Sequence, residues 1–238
     1  MRILVFDSET TGLAKTKTIS KNTIHLWPHA VQTSYLIYDT TTNKLEKAYD
    51  NIIKLKPYNV ISLESIALHG ITNEISESQG IPLIDALSEL LTDIETVDIV
   101  IMHNVDFDLS IIKIELIRMI ESCEHEADLL KLSSPDQLLI HTKLVNMLSK
   151  FQALNNVRCT MRESVDFCKI ERENSRGKYF KFPTLSELHI KLFNIQPQNL
   201  HNSFHDILVT LRCFVQKEYN IDIVDVNPEI KKLLINII

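Results

Sequence analysis

The sequence predicts an α/β fold on three observations: three strand-like segments follow one another at the start, an apolar run of strand length lies at residues 98–103, and amphipathic helical patterns precede and follow that run. A strand passing directly into a helix implies a sheet covered by helices.

Arg2 to Ser8 (RILVFDS) is a short apolar run that ends in acids. Val31 to Tyr38 (VQTSYLIY) and Leu45 to Lys54 carry β-branched and aromatic residues near period two, as strands do. Pro82 to Val97 places Leu83, Ala86, Leu87, Leu90, Leu91 and Ile94 at helical spacing, with Pro at the start where its missing donor costs nothing. Asp98 to His103 (DIVIMH) reads as a strand, a continuous apolar run, and about Phe107 to Ser122 as a helix carrying Leu109, Ile112, Ile114, Leu116, Ile117 and Ile120. From Glu124 to Asn156 the pattern blurs into a polar stretch with Ser133, Ser134 and Pro135, followed by a helix predicted over Asp136 to Lys150. Thr184 to Phe193 and Ser203 to Tyr219 are clear helices, and Pro228 starts a last short one with Ile230, Leu233, Leu234 and Ile237 on one face. Without a long polar linker, the reading is one domain over residues 1–220 and a short C-terminal appendage, with a helical pattern, over 221–238. The apolar stripe of that appendage either packs on the domain or docks another protein.

The 238 residues are 45% apolar and 24% charged, the composition of a globular chain, which excludes a disordered or collagenous one. Lys and Arg total 25 against 31 Asp and Glu, a net charge of -6, so a broad basic face for wrapping nucleic acid is excluded and any polyanion must be met locally. The four cysteines, Cys123, Cys159, Cys168 and Cys213, form no C-x-x-C pair and read as reduced thiols of an intracellular, cytoplasmic protein. The opening MRILVFDSE reaches an acid after four apolar residues, too few for a signal peptide, and no stretch approaches the roughly 18 uncharged apolar residues of a membrane span. Only four glycines occur, so Gly12, Gly70, Gly80 and Gly177 are each expected where the backbone demands one.

Three acid-bearing segments stand at predicted element ends. Asp7 and Glu9 flank Ser8 at the end of the first strand, where period two puts both carboxylates on one face. Two like charges so close either turn to solvent or share a hard divalent cation with oxygen ligands. His103-Asn104-Val105-Asp106-Phe107-Asp108 lies where the apolar strand gives way to a helix; its acids either cap that helix or reach the sheet edge, and only one of the two need be functional. His201-Asn202-Ser203-Phe204-His205-Asp206 opens a later helix, where His and Asp again read as caps when taken alone.

Taken together and in this order, FDSETTGL, HNVDFD and HNSFHD resemble the three motifs of the DEDD superfamily of 3′-to-5′ exonucleases. The spacing of His201 and Asp206 is similar to the His-bearing branch, which includes the proofreading subunit of bacterial replicative DNA polymerases, RNase T and oligoribonuclease; the Tyr-bearing branch would want an aromatic at Asn202. The resemblance extends through WPHAVQTSYLIYD (27–39), ISLESIALHGIT (61–72), CTM (159–161) and YFKFPTLSELHIKLF (179–193), and so covers nearly all of residues 2–214. Ser8 and Ser203 depart from the residues usual in the family, and residues 124–156 are longer than in its shortest members.

The resemblance implies a ribonuclease H-like fold, a mixed sheet flanked by helices. It implies that Asp7, Glu9 and Asp206 hold one Mg²⁺ or Mn²⁺, that Asp7 bridges to a second such ion, and that Asp108 acts partly through water. Two ions about 4 Å apart clamp an in-line phosphodiester cleavage. His201 is the implied general base, because imidazole changes charge near neutral pH; its rival His205, next to Asp206 on the helix, is rotated by about 100° and expected to face away. Thr10, Thr11 and Leu13 would line the slot for the 3′-terminal nucleotide, with Asn104 beside it and Gly12 allowing close backbone approach. Lys178 and Lys181, with Tyr179 and Phe180, form a basic and aromatic cluster that either holds a phosphate backbone or is a solvated loop. The expected activity is metal-dependent 3′-to-5′ hydrolysis of single-stranded or frayed DNA ends to nucleoside 5′-monophosphates, in repair or proofreading, with a DNA polymerase as a partner and no membrane. The alternative is an exoribonuclease trimming RNA ends. A silent nucleic-acid or polymerase-binding relative is disfavoured, because it has no need of all five site residues.

Overall fold

A computed structural model of the chain describes residues 1–130 and 135–238. In chain order the elements are β1 (Arg2–Thr10), β2 (Ala30–Asp39), β3 (Lys44–Ile52), α1 (Leu63–His69), α2 (Asn73–Gln79), α3 (Leu83–Ile94), β4 (Ile99–Met102), α4 (Val105–Leu130), α5 (Pro135–Gln152), β5 (Val157–Cys159), α6 (Thr160–Glu163), α7 (Val165–Cys168), β6 (Glu171–Asn174), β7 (Gly177–Phe180), α8 (Leu185–Phe193), α9 (Ser203–Tyr219), α10 (Ile223–Val226) and α11 (Pro228–Leu234). The expected α/β architecture is present, with a single mixed five-stranded sheet in the order β3-β2-β1-β4-β5 at its centre. β1 runs antiparallel to β2 and parallel to β4, so it is hydrogen-bonded along both edges in the middle of the sheet.

Period-two alternation along β1 divides the core in two. Ile3 and Val5 point to one side, joining Leu36, Tyr38 and Ile101 beneath α8, α9, α10 and α11. Leu4 and Phe6 point to the other, joining Tyr35, Ile37, Val100 and Met102 beneath α3, α4 and α5. Both faces are covered, which is why the inner strands read as near-continuous apolar runs. α9 is the most deeply embedded helix, buried from Ile207 through Val215. Asn202 caps its start by accepting from the Phe204 and His205 amides, and α8 opens with a capping box between Thr184 and Glu187. The C-terminal segment lays Ile223, Ile230, Leu234 and Ile237 into the cluster under α9, and its Ile237 carbonyl accepts the Gln198 amide.

Several elements differ from the sequence reading. The long helix α4 starts at Val105 and runs to Leu130, well beyond Ser122. The polar break at Ser133 and Ser134 lies outside the described residues. Residues 63–79, unassigned from sequence, form α1 and α2, each capped by a hydroxyl, Ser62 and Thr72. Gly80 ends α2 where a Cβ would stand 2.2 Å from the Ser76 carbonyl oxygen and 2.6 Å from the Lys54 nitrogen, so no side chain fits there. Gly12 is different: a Cβ would meet nothing nearer than Ser62 Oγ at 4.0 Å, so the protein itself does not demand a glycine at that place. The basic and aromatic stretch at 171–180 is neither loop nor core strand but a separate antiparallel ribbon, β6–β7. No helix among the described residues is long and apolar enough to cross a membrane.

Candidate active site

The strand parity that splits the core also builds the acid cluster. Asp7 and Glu9 continue the Ile3 and Val5 face and so point toward α9, whose first turn presents Asp206. One ligand oxygen from each of Asp7, Glu9 and Asp206 lies within 4.8 Å of the others. Ser8 continues the opposite face, toward α4, and its hydroxyl donates to Asp108 Oδ1 at 2.8 Å in the first turn of that helix. β1 thus meets two helix N-termini at its end, one on each side, and each offers a carboxylate to it. Asp106, by contrast, is a surface residue facing Arg162 at 3.3 Å. Of the two acids of the second motif, Asp108 is the one brought against β1, and it is 2% exposed.

Burial and mutual repulsion shape the electrostatics. Desolvation, followed by the charges of Asp206 and Asp108, pushes the Glu9 carboxyl up to about 8. Burial pushes Asp206 up to about 7, against a hydrogen bond from the His201 backbone N–H. It also pushes Asp108 up to about 7, against the Ser8 hydroxyl. Asp7, enclosed by the other three, is raised by burial first and then by Asp108, Asp206 and Glu9. Among the described residues no cation neutralises these four groups, and Asp206 Oδ1 is buried without a hydrogen-bond partner. A donor set made only of carboxylate oxygens, one of whose residues keeps a buried oxygen without a partner, suits a hard divalent cation such as Mg²⁺ or Mn²⁺. The residues present therefore fit the metal that the motifs imply.

The supporting contacts bring in Gln32, Ser34, Asp50 and Thr160, to which the sequence reading assigns no role. Asp50 Oδ1 accepts from Ser34 Oγ at 2.7 Å and from Gln32 Nε2 at 2.8 Å. With its one proton so committed, Ser34 accepts from Ser203 Oγ at 2.6 Å, and Gln32 accepts the Ser203 amide at 3.2 Å. This chain ties the start of α9, and with it Asp206, to β2 and β3. On the other side, His103 bonds Thr160 Oγ1 at 2.9 Å and donates from Nε2 to the Pro183 carbonyl at 3.2 Å, with its pKa lowered by burial to about 4. It steadies the junction at which Asn104 adopts a positive φ of 105°.

His201 sits at φ 69°, exposed, with its backbone N–H donating to Asp206 Oδ2 at 3.2 Å. The His205 ring is tied instead to the Asn199 carbonyl at 2.8 Å. Thr10 is buried and donates to the Gly12 carbonyl at 2.8 Å, while Thr11 is held between His29 and Ser62 by three hydrogen bonds of 2.8 to 3.0 Å. Leu13 is 87% exposed. His69, within the quoted ISLESIALHGIT segment, was not singled out from sequence. Its Nδ1 accepts the Ile71 amide, which leaves Nε2 to donate to the Thr10 carbonyl at 3.3 Å and brace this loop.

No protein-family model matches this sequence, and no curated protein is similar to it. Solved structures do share its fold. It is similar to E. coli exonuclease I in complex with a dT13 oligonucleotide, with a TM-score of 0.56 and 15% identity over 98% of this chain and 45% of that one. It is similar to exonuclease I of Methylocaldum szegediense, with a TM-score of 0.54 and 12% identity over 94% of this chain and 42% of that one. A 3′-exonuclease that recognises the 3′ end of a histone mRNA stem-loop matches with a TM-score of 0.53 and 12% identity over 93% of this chain and 83% of that one. The chain spans less than half the length of the exonuclease I chains it matches. The fold is therefore the ribonuclease H-like one of these exonucleases, a mixed five-stranded sheet flanked by helices.

Proposed function

We propose that this protein is a metal-dependent 3′-to-5′ exonuclease of the DEDD superfamily, His-bearing branch, that removes nucleoside 5′-monophosphates from single-stranded or frayed DNA ends. The observation that carries the reading is the gathering of half-buried Asp7, Glu9 and Asp206, with one ligand oxygen each within 4.8 Å of the others, beside the fully buried Asp108, and with Asp206 Oδ1 left without a partner. A structural role for such a cluster is disfavoured, since like charges gathered out of water destabilise the fold that holds them. The bound form of the related fold, exonuclease I with an oligonucleotide, supports the same substrate class.

In this reading Asp7, Glu9 and Asp206 would hold one divalent ion, Asp7 would share a second, and Asp108 would act from the α4 side with Ser8 fixing its orientation. A pair of Mg²⁺ or Mn²⁺ ions, when bound, supplies the positive charge that offsets the carboxylates and the scissile phosphate. His201, free of side-chain ties among the described residues and backed onto Asp206 by its own amide, takes the proton of the attacking water on its imidazole. His205 has its ring committed to a backbone carbonyl and is not given that role. Thr10, Thr11, Gly12 and Leu13 receive the terminal nucleotide, with Leu13 as an apolar wedge beside the last base, which favours ends that are already unstacked. Asn104 is the remaining substrate-binding residue of this reading.

A second reading keeps the chemistry and changes the polymer: the histone mRNA 3′-exonuclease covered along 83% of its length supports an exoribonuclease. Incubation of one end-labelled sequence as single-stranded DNA and as RNA, with Mg²⁺ and then with chelator, tests both. A ladder shortening from the 3′ end of DNA faster than of RNA, and abolished by chelator, is the expected result. A faster RNA ladder would transfer the assignment to the second reading, and absence of metal-dependent products on either polymer would overturn both.

A further inference from the structure

Between α7 and α8 the chain leaves the globule as the β6–β7 ribbon, in which every strand residue is exposed. Two aromatics are included, Tyr179 at 47% and Phe180 at 41% exposure. A lone two-stranded ribbon is marginally stable in water, and this one buries nothing for its ordering cost. Over residues 169–181 five basic residues (Lys169, Arg172, Arg176, Lys178, Lys181) stand against Glu171 and Glu173, a local charge of +3 in a chain of net -6.

The strand register sorts these charges by face. Glu171 pairs with Phe180 and Glu173 with Lys178, so both acids share one face. Arg172 pairs with Tyr179 and Asn174 with Gly177 on the other, which carries no carboxylate. Lys178 already stands 3.6 Å from Glu171, and Lys181 is paired with Glu187 at 2.7 Å. Among the described residues Arg172 and Arg176 have no ion-pair partner. One face therefore presents a guanidinium beside an aromatic ring, with a second guanidinium in the turn between the strands. The Lys181 amide closes the ribbon's base on the Ile170 carbonyl, and two residues on the Pro183 carbonyl accepts from His103, next to the Asn104 junction that presents Asp108. The ribbon is thereby rooted at the end of the sheet where the acids meet.

We propose that β6–β7 is a strand-guiding arm, whose Arg172 and Tyr179 face, with Arg176 at the tip, takes single-stranded DNA upstream of the 3′ end held at the acid cluster. This rests on the exonuclease reading above. Guanidinium contacts to phosphate position a strand without reading its sequence, and a base of any kind stacks on a tyrosine. The ligand is thus a flexible polyanion with exposed bases, not a protein surface.

The test combines binding of a labelled 15-nucleotide oligo-dT in EDTA across a salt series with hydrolysis of that oligomer and of a trinucleotide in Mg²⁺. The Arg172→Ser/Arg176→Ser variant is expected to weaken binding about tenfold and to lower the slope of log affinity against log salt by about 1.4, that is 0.7 per lost phosphate contact. Tyr179→Ser is expected to weaken it about tenfold with the slope unchanged. Phe180→Ser, on the acid-bearing face, stays within about twofold, and trinucleotide hydrolysis stays within about twofold in all variants, which also reports an intact fold. Unchanged affinity and slope in the double Arg variant would overturn the arm, as would equal losses from Phe180→Ser and Tyr179→Ser. A wild-type protein that hydrolyses neither oligomer overturns the reading as a DNA exonuclease instead, and the binding series then judges the arm alone.

Discussion

Removing one charge from the acid cluster is expected to stabilise the protein when no metal is present. Between pH 4 and 8 the folded chain retains protons on Glu9, Asp108 and Asp206 that the unfolded chain has released, because their carboxyls stand at about 8, 7 and 7. The native state binds more protons, so stability falls as pH rises through this window. For Asp206, raised from 3.8 to about 7, the cost of ionisation in the fold is about 4 kcal/mol at 1.36 kcal/mol per unit. The four acids titrate together, so a single substitution recovers only part of this, about 2 kcal/mol. At roughly 2–4 °C per kcal/mol for a chain of this size, Asp206→Asn should raise the Tm in EDTA by about 4–8 °C at pH 8 and by little at pH 4.5. Saturating Mn²⁺ replaces the protons: at a hundredfold over its Kd it should add about 2.7 kcal/mol to the wild type and much less to the variant. Scanning calorimetry from pH 4.5 to 8.5, with chelator and with Mn²⁺, reads all of these. A lower Tm for Asp206→Asn at pH 8, or a wild-type Tm in EDTA that does not fall with pH, would refute the electrostatic account of the site.

Other expectations are more local. His201→Ala should lower kcat on single-stranded DNA by about 10²-fold or more, as loss of a general base does, while His205→Ala stays within about twofold; steady-state kinetics at one pH separate them. Ser8→Ala removes the hydroxyl that Asp108 accepts at 2.8 Å and should cost about 1–3 kcal/mol of transition-state stabilisation, with the alkaline limb of the pH–rate profile unchanged in shape. Ser34→Ala and Ser203→Ala, which break the same 2.6 Å hydrogen bond, should be non-additive in a urea-unfolding double-mutant cycle, with a coupling of about 1 kcal/mol. Gly80→Ala forces a Cβ to within 2.2 Å of the Ser76 carbonyl and should destabilise by about 2 kcal/mol or more in the same assay.

The parts of this molecule that could be read from sequence are those in which local chemistry and burial agree. β1 reads as a strand because it is apolar on both faces, and α8 and α9 because their caps at Thr184 and Asn202 stand beside strong helical periodicity. β5 is three residues long, too short for any period to show. β6 and β7 have no buried face at all, so the alternation that normally betrays a strand is absent from Glu171-Arg172-Glu173-Asn174. α1 and α2 are seven residues each, below the length at which an apolar stripe stands out. Within the site, the acids were visible as motifs because each sits at an element end. Their supports were not: Ser203 is 169 residues from Ser34, and nothing local marks either hydroxyl as a partner.

Because consecutive residues of β1 serve different layers, the spacing between its apolar half and its acidic half is a phase relation. Gain of one residue between Phe6 and Asp7 would send both carboxylates beneath α4 and bring the serine round to α9, with each half-strand still well packed. A two-residue change would keep the phase and merely slide the acids along the sheet, past the position that Asp206 can meet. Length variation in this strand should therefore be absorbed beyond the irregularity at Glu9 and Thr10, where the pairing with β2 already slips by a residue and the chain is leaving the sheet.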